Sequence, residues 1–461
     1  MQLTKQATRS YGVNAMALIA AMILTLALST SAFASGAAEH LLHTFTNSPD
    51  GFGPGAGLVA DSAGNLYGTT PYGGATGYGC VFELSPPTTS GGAWTESILY
   101  SFQRSDSDGQ APYGTLILDQ QGNLYGTTAF SLSEQGAGTV FELSPPTTSG
   151  GAWTEAILYQ FPANNGRGTS PEGKLVMDAQ GDLFGTTNQG GSLGFGVVFE
   201  LRPPSITGSR WRELTLHEFG GAGDGSGVNN NLIMSRGALY GTTSNGGASG
   251  NGTVFELQKV SGVWNETILY SFAGGEGANP GAGLMFDALG NLYGTTIAGG
   301  ASTNCGNHSG CGVVFQLSPP AVSGGPWTET TLYSFTAGKD GAIPSASLVV
   351  DKAGNLYGTA SQGGLRNSLT NNNGTVFELS PPASSGGAWT ETTLHDFGGT
   401  PSGDGRHPFG ELLLLNGKFY GTTSSEGLGT SAFGTVFSLV VTPQRIFSRG
   451  RGIRPRSCSP T

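Results

Sequence analysis

Six acidic residues stand directly ahead of a glycine at recurring points of the chain: Asp50, Asp108, Asp224, Asp340 and Asp404, with Glu276 in the same role. Asn165-Gly166 fills the remaining interval. Carboxylates gathered around one opening could attract a cation or a hydroxyl-rich ligand. The plainer reading is conformational, because Asp-Gly suits tight turns. The acids form no contiguous ligand loop of the EF-hand kind, so calcium has no motif behind it, and no metal or other cofactor is expected. His308 and Arg366 lie in the two longest interruptions of the pattern described below, residues 297–310 and 361–373, the second ending in Asn371, Asn372 and Asn373. Departures from a repeat can carry specific contacts, although surface loops also lengthen at little cost. Cys305 and Cys311 are six residues apart, and a local disulfide is expected, with a metal pair around His308 as the lesser alternative.

Covalent catalysis finds little footing. Gly190-Gly191-Ser192-Leu193-Gly194 has the G-x-S-x-G spacing of a nucleophile elbow but lies in a glycine-rich loop with no helix to follow. His43, His217 and His395 fall in a slot held elsewhere by Tyr100, Tyr159, Tyr270 and Tyr333, which reads as structural. His308 and His407 sit in loops without a Ser or Cys partner in view. No catalytic residues are assigned.

The elements that must position these groups are repeated seven times. GNLYGTT occurs at 64–70, 122–128 and 290–296, and recurs as GDLFGTT at 181–187, GALYGTT at 237–243, GNLYGTA at 354–360 and GKFYGTT at 417–423. Each unit holds four short runs rich in Val, Ile, Leu, Thr and aromatic residues, in the first unit 57–61, 65–70, 80–84 and 94–102. Bounded by Gly, Pro, Ser and Asp, all four read as strands, and no stretch after residue 34 has a helical period. Asp-x-x-Gly followed by Asn or Asp, as in Asp61 to Asn65, marks the first turn in five units. Four antiparallel strands about every 57 residues predict an all-β, seven-bladed β-propeller. A β-helix would need far shorter coils.

All six tryptophans, Trp94, Trp153, Trp211, Trp264, Trp327 and Trp389, open the fourth run of units one to six. The seventh unit ends without one. Residues 40–45, His-Leu-Leu-His-Thr-Phe, read like the fourth runs and are predicted to complete the last blade, which removes the open edges of an unclosed ring. The connections carrying the acids would then crown one face together with the loops between second and third strands.

Composition narrows the class of partner. The chain has 461 residues, 79 of them Gly, and only 11% are charged. With 24 Phe, 14 Tyr and 6 Trp, it is not a disordered chain. Lys5 and Arg9, the apolar run 15–28 and Ser31-Ala32-Phe33-Ala34 have the order of a secretory leader, predicted as residues 1–34. The apolar run falls short of the roughly 20 residues that span a bilayer, and no transmembrane segment is expected in the mature chain. Arg445, Arg449, Arg451, Arg454 and Arg456 mark 441–461 as a disordered tail, leaving 39–440 for the propeller. Between leader and tail, 13 cations face 31 acids, which argues against a nucleic-acid partner.

Gly-x-Leu-Val, Gly-Asn-Leu-Tyr-Gly-Thr-Thr, Gly-Gly and Gly-Thr-Val-Phe-Glu-Leu recur in order from about residue 39 to 440, and in this the chain resembles the bacterial "GloVer" tandem-repeat family. The resemblance implies an exported protein with a variable C-terminal anchor and transfers no catalytic residues. Residues 442–461 depart from the anchored pattern, carrying arginines and Cys458 with no apolar segment. Two functions follow as expectations. The first is a secreted, periplasmic or surface-associated monomeric scaffold that binds a glycan, a protein or a cell-surface component. The alternative is a propeller-fold hydrolase or lyase acting on extracellular polysaccharide near blades five and six, which non-repeated carboxylates converging there would favour.

Overall fold

The computed structural model describes residues 37–441, except 106–107, 132–135, 149, 163–165, 207, 229–230, 303–304, 306–308, 323, 365–371, 385, 399–402 and 428–432. The expected leader, the tail from residue 442, Asn165, His308, Arg366 and Asn371 lie outside these residues. Among the described residues there is no helix, and seven four-stranded antiparallel sheets follow one another along the chain. In blade one the strands are Val59–Ala60, Leu66–Thr70, Cys80–Ser85 and Thr95–Ser101, hydrogen-bonded in that order. The first strand has only two paired residues, Val59 opposite Tyr67 and Ala60 opposite Leu66.

The repeated Gly-Thr-Thr has a steric cause. A Cβ on Gly68 would lie 2.5 Å from Cζ of Phe82, whose ring crosses the glycine from the neighbouring strand. Equivalent contacts occur at Gly126 with Phe141, Gly185 with Phe199 and Gly358 with Phe377. The Asp-x-x-Gly-Asn turns are equally specific. Asp61 accepts hydrogen bonds from the Ala63 and Asn65 amides, both at 2.9 Å, and from the Tyr67 hydroxyl at 3.1 Å. Such a side chain mimics a backbone turn while anchoring the aromatic of the next strand.

The core lies between adjacent sheets. Phe102 at the end of one blade packs edge-to-face on Phe141 of the next at 5.2 Å, and Phe161 on Phe199 and Phe272 on Phe315 at 5.1 Å. Edge-to-face pairs contribute about 0.5–1.5 kcal/mol beyond their burial. The first threonine of the Gly-Thr-Thr repeat adds a polar link, as in Thr69 Oγ1 donating to the Gly114 carbonyl of the following blade at 3.2 Å.

Blade seven combines the two chain ends. Leu413–Leu415, Lys418–Thr423 and Thr435–Val441 are joined by Ala37–Thr44, which pairs antiparallel with Thr435–Val441. His40 lies opposite Ser438 and Leu41 opposite Phe437. The closing strand starts three residues earlier than the predicted segment, and Phe45 extends it by donating its amide to Gly434 at 3.0 Å. Phe45 then packs on Phe82 of blade one at 5.1 Å, the same contact that joins every other pair of blades.

Candidate functional site

Each predicted acid sits where the chain leaves an outer strand and crosses to the next blade. Asp108 accepts hydrogen bonds from the Tyr100 hydroxyl at 3.0 Å, the Gln103 amide at 2.6 Å and the Gly109 amide at 2.7 Å. Asp340 is held likewise by Tyr333 and Thr336, and Glu276 by Tyr270 and Ala273. In the other blades a histidine supplies the ring: His217 Nε2 is 3.2 Å from Asp224, His395 Nε2 3.1 Å from Asp404, and His43 Nε2 3.4 Å from Asp50. The Tyr-or-His slot is therefore the acid's partner, and the six acids occupy six separate turns. Strand pairing corrects one alignment. Gly168 pairs with Gly190 as Gly51 pairs with Gly73, so Arg167, not Asn165, holds the acid's position in the third junction.

A second carboxyl meets each of these positions, and it escaped notice in the sequence. It belongs to the Trp-x-Glu at the start of each fourth strand, with Ala37-Ala38-Glu39 serving in the closing strand. Burial, with the Asp108 charge nearby, pushes Glu155 up to about 7. Burial raises Glu329 and Glu391 to about 7 against a hydrogen bond from a neighbouring threonine, with Glu276 and Asp340 adding to the rise. Glu266, buried beside Asp224, reaches about 8. Two carboxyls packed together keep one proton between them. In the third junction Arg167 binds Glu213 instead, and Tyr159 as well. The ligand atoms of His217, Asp224 and Glu266 lie within 4.8 Å of one another, a spacing compatible with a cation. The repetition of the same carboxyl pairing beside tyrosines gives it a structural explanation.

Seven residues beyond each acid position the chain reaches the common opening. Here the repeat breaks: Gly57, Thr115, Lys174, Asn231, Gly283, Ser347 and Glu411 occupy one position, six residue types in seven blades, each just before a repeated leucine. Residues from all seven blades line a cavity of about 170 Å³ at this level. Lys174 Nζ pairs with Glu411 Oε1 at 2.7 Å between blades three and seven. The Lys174 amide donates to Asn231 Oδ1 at 2.9 Å, and the Asn231 amide group lies 3.5 Å from the Ser347 hydroxyl. Gly57 donates its amide to Thr115 Oγ1 at 2.9 Å, and its missing side chain makes room for Glu411. Aligning the repeats on that leucine would have exposed this variation, which a search for recurrence passes over.

Aromatic side chains flank the opening on one side. The Tyr72 and Tyr113 hydroxyls are 2.7 Å apart, and the two residues are 45% and 36% exposed. Tyr113 lines the mouth cavity. Phe52 lies 5.6 Å from Tyr72 and 4.8 Å from Phe433, extending the row into blade seven. Exposed Phe409, stacked on His407, takes Tyr113's position in that blade. Burial and the Tyr72 hydroxyl together push the Tyr113 phenol up.

Cys305 and Cys311 are disulfide-bonded with Cα atoms 5.1 Å apart, closing part of the blade-five loop. In the blade-six loop, Asn372 donates to Gln362 Oε1 at 2.8 Å and Asn373 is buried. Ser192 donates its amide to Glu218 at 2.9 Å and stands in a turn followed by strand, not helix. Cys80 is buried beside the Thr70 hydroxyl.

Three stretches of the chain, 21–211, 205–368 and 302–448, match the profile described as the Gloeobacter/Verrucomicrobia repeat. No curated protein matches the chain. Similar solved structures include a putative 6-phosphogluconolactonase from Bacteroides uniformis, 14% identical, covering 84% of this chain and 89% of that one with a TM-score of 0.44. Another is an ulvan lyase of polysaccharide lyase family PL25, 10% identical, covering 86% and 95% with a TM-score of 0.48. A third is a putative glucose dehydrogenase from Thermus thermophilus, 14% identical, covering 88% and 100% with a TM-score of 0.41. At these identities and scores none of the three carries a functional argument.

Proposed function

Because the chain belongs to the Gloeobacter/Verrucomicrobia repeat family, whose repeats here close into one ring, we propose that it is an exported binding scaffold whose ligand is a neutral, hydroxyl-rich glycan. The observation that carries this reading is the hydrogen-bonded Tyr72–Tyr113 pair beside a polar opening whose lining varies from blade to blade. Exposed aromatic faces stack on the apolar faces of sugar rings, and the phenols, Thr115, Glu172 and Asn231 supply hydrogen bonds to hydroxyls. The excess of acids disfavours a polyanionic chain. The leader read at residues 1–34 supports an extracytoplasmic setting. A glycan-binding screen on the full chain tests the reading: Tyr72→Ala and Tyr113→Ala should each weaken the best neutral hit at least tenfold. Unchanged binding in both variants overturns it.

One observation favours the enzymatic alternative. Glu172 and Glu411 are carboxylates without counterparts in other blades, and both line the mouth. They belong to blades three and seven, not five and six. Hydrolysis or elimination products released from any bound glycan, and lost in Glu411→Gln, would establish catalysis in place of simple binding.

A further inference from the structure

Asn231, Ser347 and Glu411 do more than line the mouth, because together with Lys174 they also roof a second cavity further along the same inner strands. That chamber has a volume of about 520 Å³, within the roughly 300–1,000 Å³ of small-molecule sites. Its character is opposite to that of the mouth. The walls are Ile117, Leu118, Val176, Met177, Ile233 and Met234, from the inner strands of blades two, three and four. These side chains are half-buried, whereas Leu175 and Leu232 just ahead of them reach the chamber from more deeply buried positions. Blades five and six add only Leu284 and Leu348 to the apolar wall and blade one adds nothing, so most of that wall comes from blades two, three and four.

We propose that this chamber binds a small neutral amphiphile, with its apolar body against the six wall residues and a single hydroxyl or amide against the polar roof. Charge decides the head group. Lys174 is already neutralised by Glu411 at 2.7 Å, so an entering carboxylate would oppose Glu411 and an ammonium would oppose Lys174. Burying either unpaired carries a desolvation cost that a neutral group avoids. The roof offers a neutral group its partners, since the Asn231 amide reaches Ser347 only at a long 3.5 Å and both can turn to a ligand. The chamber lies beyond the roof from the aromatic row, and its ligand is independent of any glycan.

The test uses the full chain with methyl-labelled methionine and the probes 1-heptanol, heptanoate and heptylamine. The chain has six methionines; Met177 and Met234 line the chamber, and Met285 occupies the matching strand of blade five outside it. Assignment comes from Met177→Leu and Met234→Leu. Heptanol should move the Met177 and Met234 signals saturably while Met285 stays put, and the two charged probes should bind at least tenfold more weakly. Met234→Trp, which fills the chamber, should weaken heptanol at least tenfold; should that variant not fold, Ile117→Trp serves the same purpose. No saturable shift with any probe, equal movement of Met285, or heptanoate binding as tightly as heptanol would each overturn the proposal.

Discussion

The hydroxyl of Thr422 donates to the carbonyl of Ala56 at 2.8 Å, across 366 positions of sequence. Thr69 makes the same bond to Gly114, Thr127 to Gly173, and Thr295 to Ala346. The bond between the last blade and the first therefore repeats a contact that elsewhere joins neighbours in the chain, and the seam of the ring is built like its other junctions.

Thr422→Val and Thr127→Val should accordingly cost similar amounts, about 1 kcal/mol each, as expected for loss of one buried hydrogen bond. Phe45→Ala removes the aromatic contact at the seam and should cost about 3–5 kcal/mol, like Phe102→Ala between blades one and two. Urea unfolding of the four variants checks both comparisons. A seam variant far milder than its internal counterpart would mean that the ring ends are only loosely joined.

The carboxyl pairs give the stability a definite pH dependence. Glu155, Glu329 and Glu391 are raised to about 7 and Glu266 to about 8, from an ordinary 4.5. The folded state therefore holds protons that the unfolded chain releases near 4.5, so stability is fully present below that value and is lost as pH rises through 7 to 8. Thermal unfolding midpoints should fall between pH 5 and pH 9, and Glu266→Gln should flatten the curve. A midpoint rising over that interval would contradict the pairing.

Arg167→Ala leaves Glu213, whose side chain is only 2% exposed, without its cation. Because Arg167 itself is half in solvent, the cost should be about 2 kcal/mol, below that of a fully buried pair. Arg167→Asp would recreate the acid pair of the other junctions, and its deficit should be smaller at pH 5 than at pH 8. Denaturant midpoints at the two pH values decide.

The bond between Cys305 and Cys311 closes a short loop, and Cys305→Ser with Cys311→Ser should cost about 2 kcal/mol on loop-entropy grounds. The effect should be confined to blade five, so hydrogen exchange should quicken around residues 299–312 and remain unchanged in blade one.

Fold and family were legible because their signals recur. Gly68, Phe82, Asp61 and Tyr67 each answer a steric or hydrogen-bonding demand present in several blades, and repetition makes such demands visible. The same habit of reading drew attention to the acids of the junctions, which recur because every junction needs a clamp. Lys174, Asn231 and Glu411 went unread because each occurs once, and only closure of the ring brings them to one opening. The Trp-x-Glu carboxyl was as periodic as anything in the chain, but its meaning depended on a neighbour some 40 to 60 residues away. Tyr72 and Tyr113, 41 positions apart, are a similar case.

Ala37 faces Val441 at one end of the closing pair of strands. Whatever precedes the first and follows the second must depart from the ring within about one strand spacing of each other. A mechanical pull applied through those two points would load the pair's hydrogen bonds one after another, as a zipper opens, instead of all together in shear. The ring can resist heat through all seven junctions and still yield to tension within a single sheet.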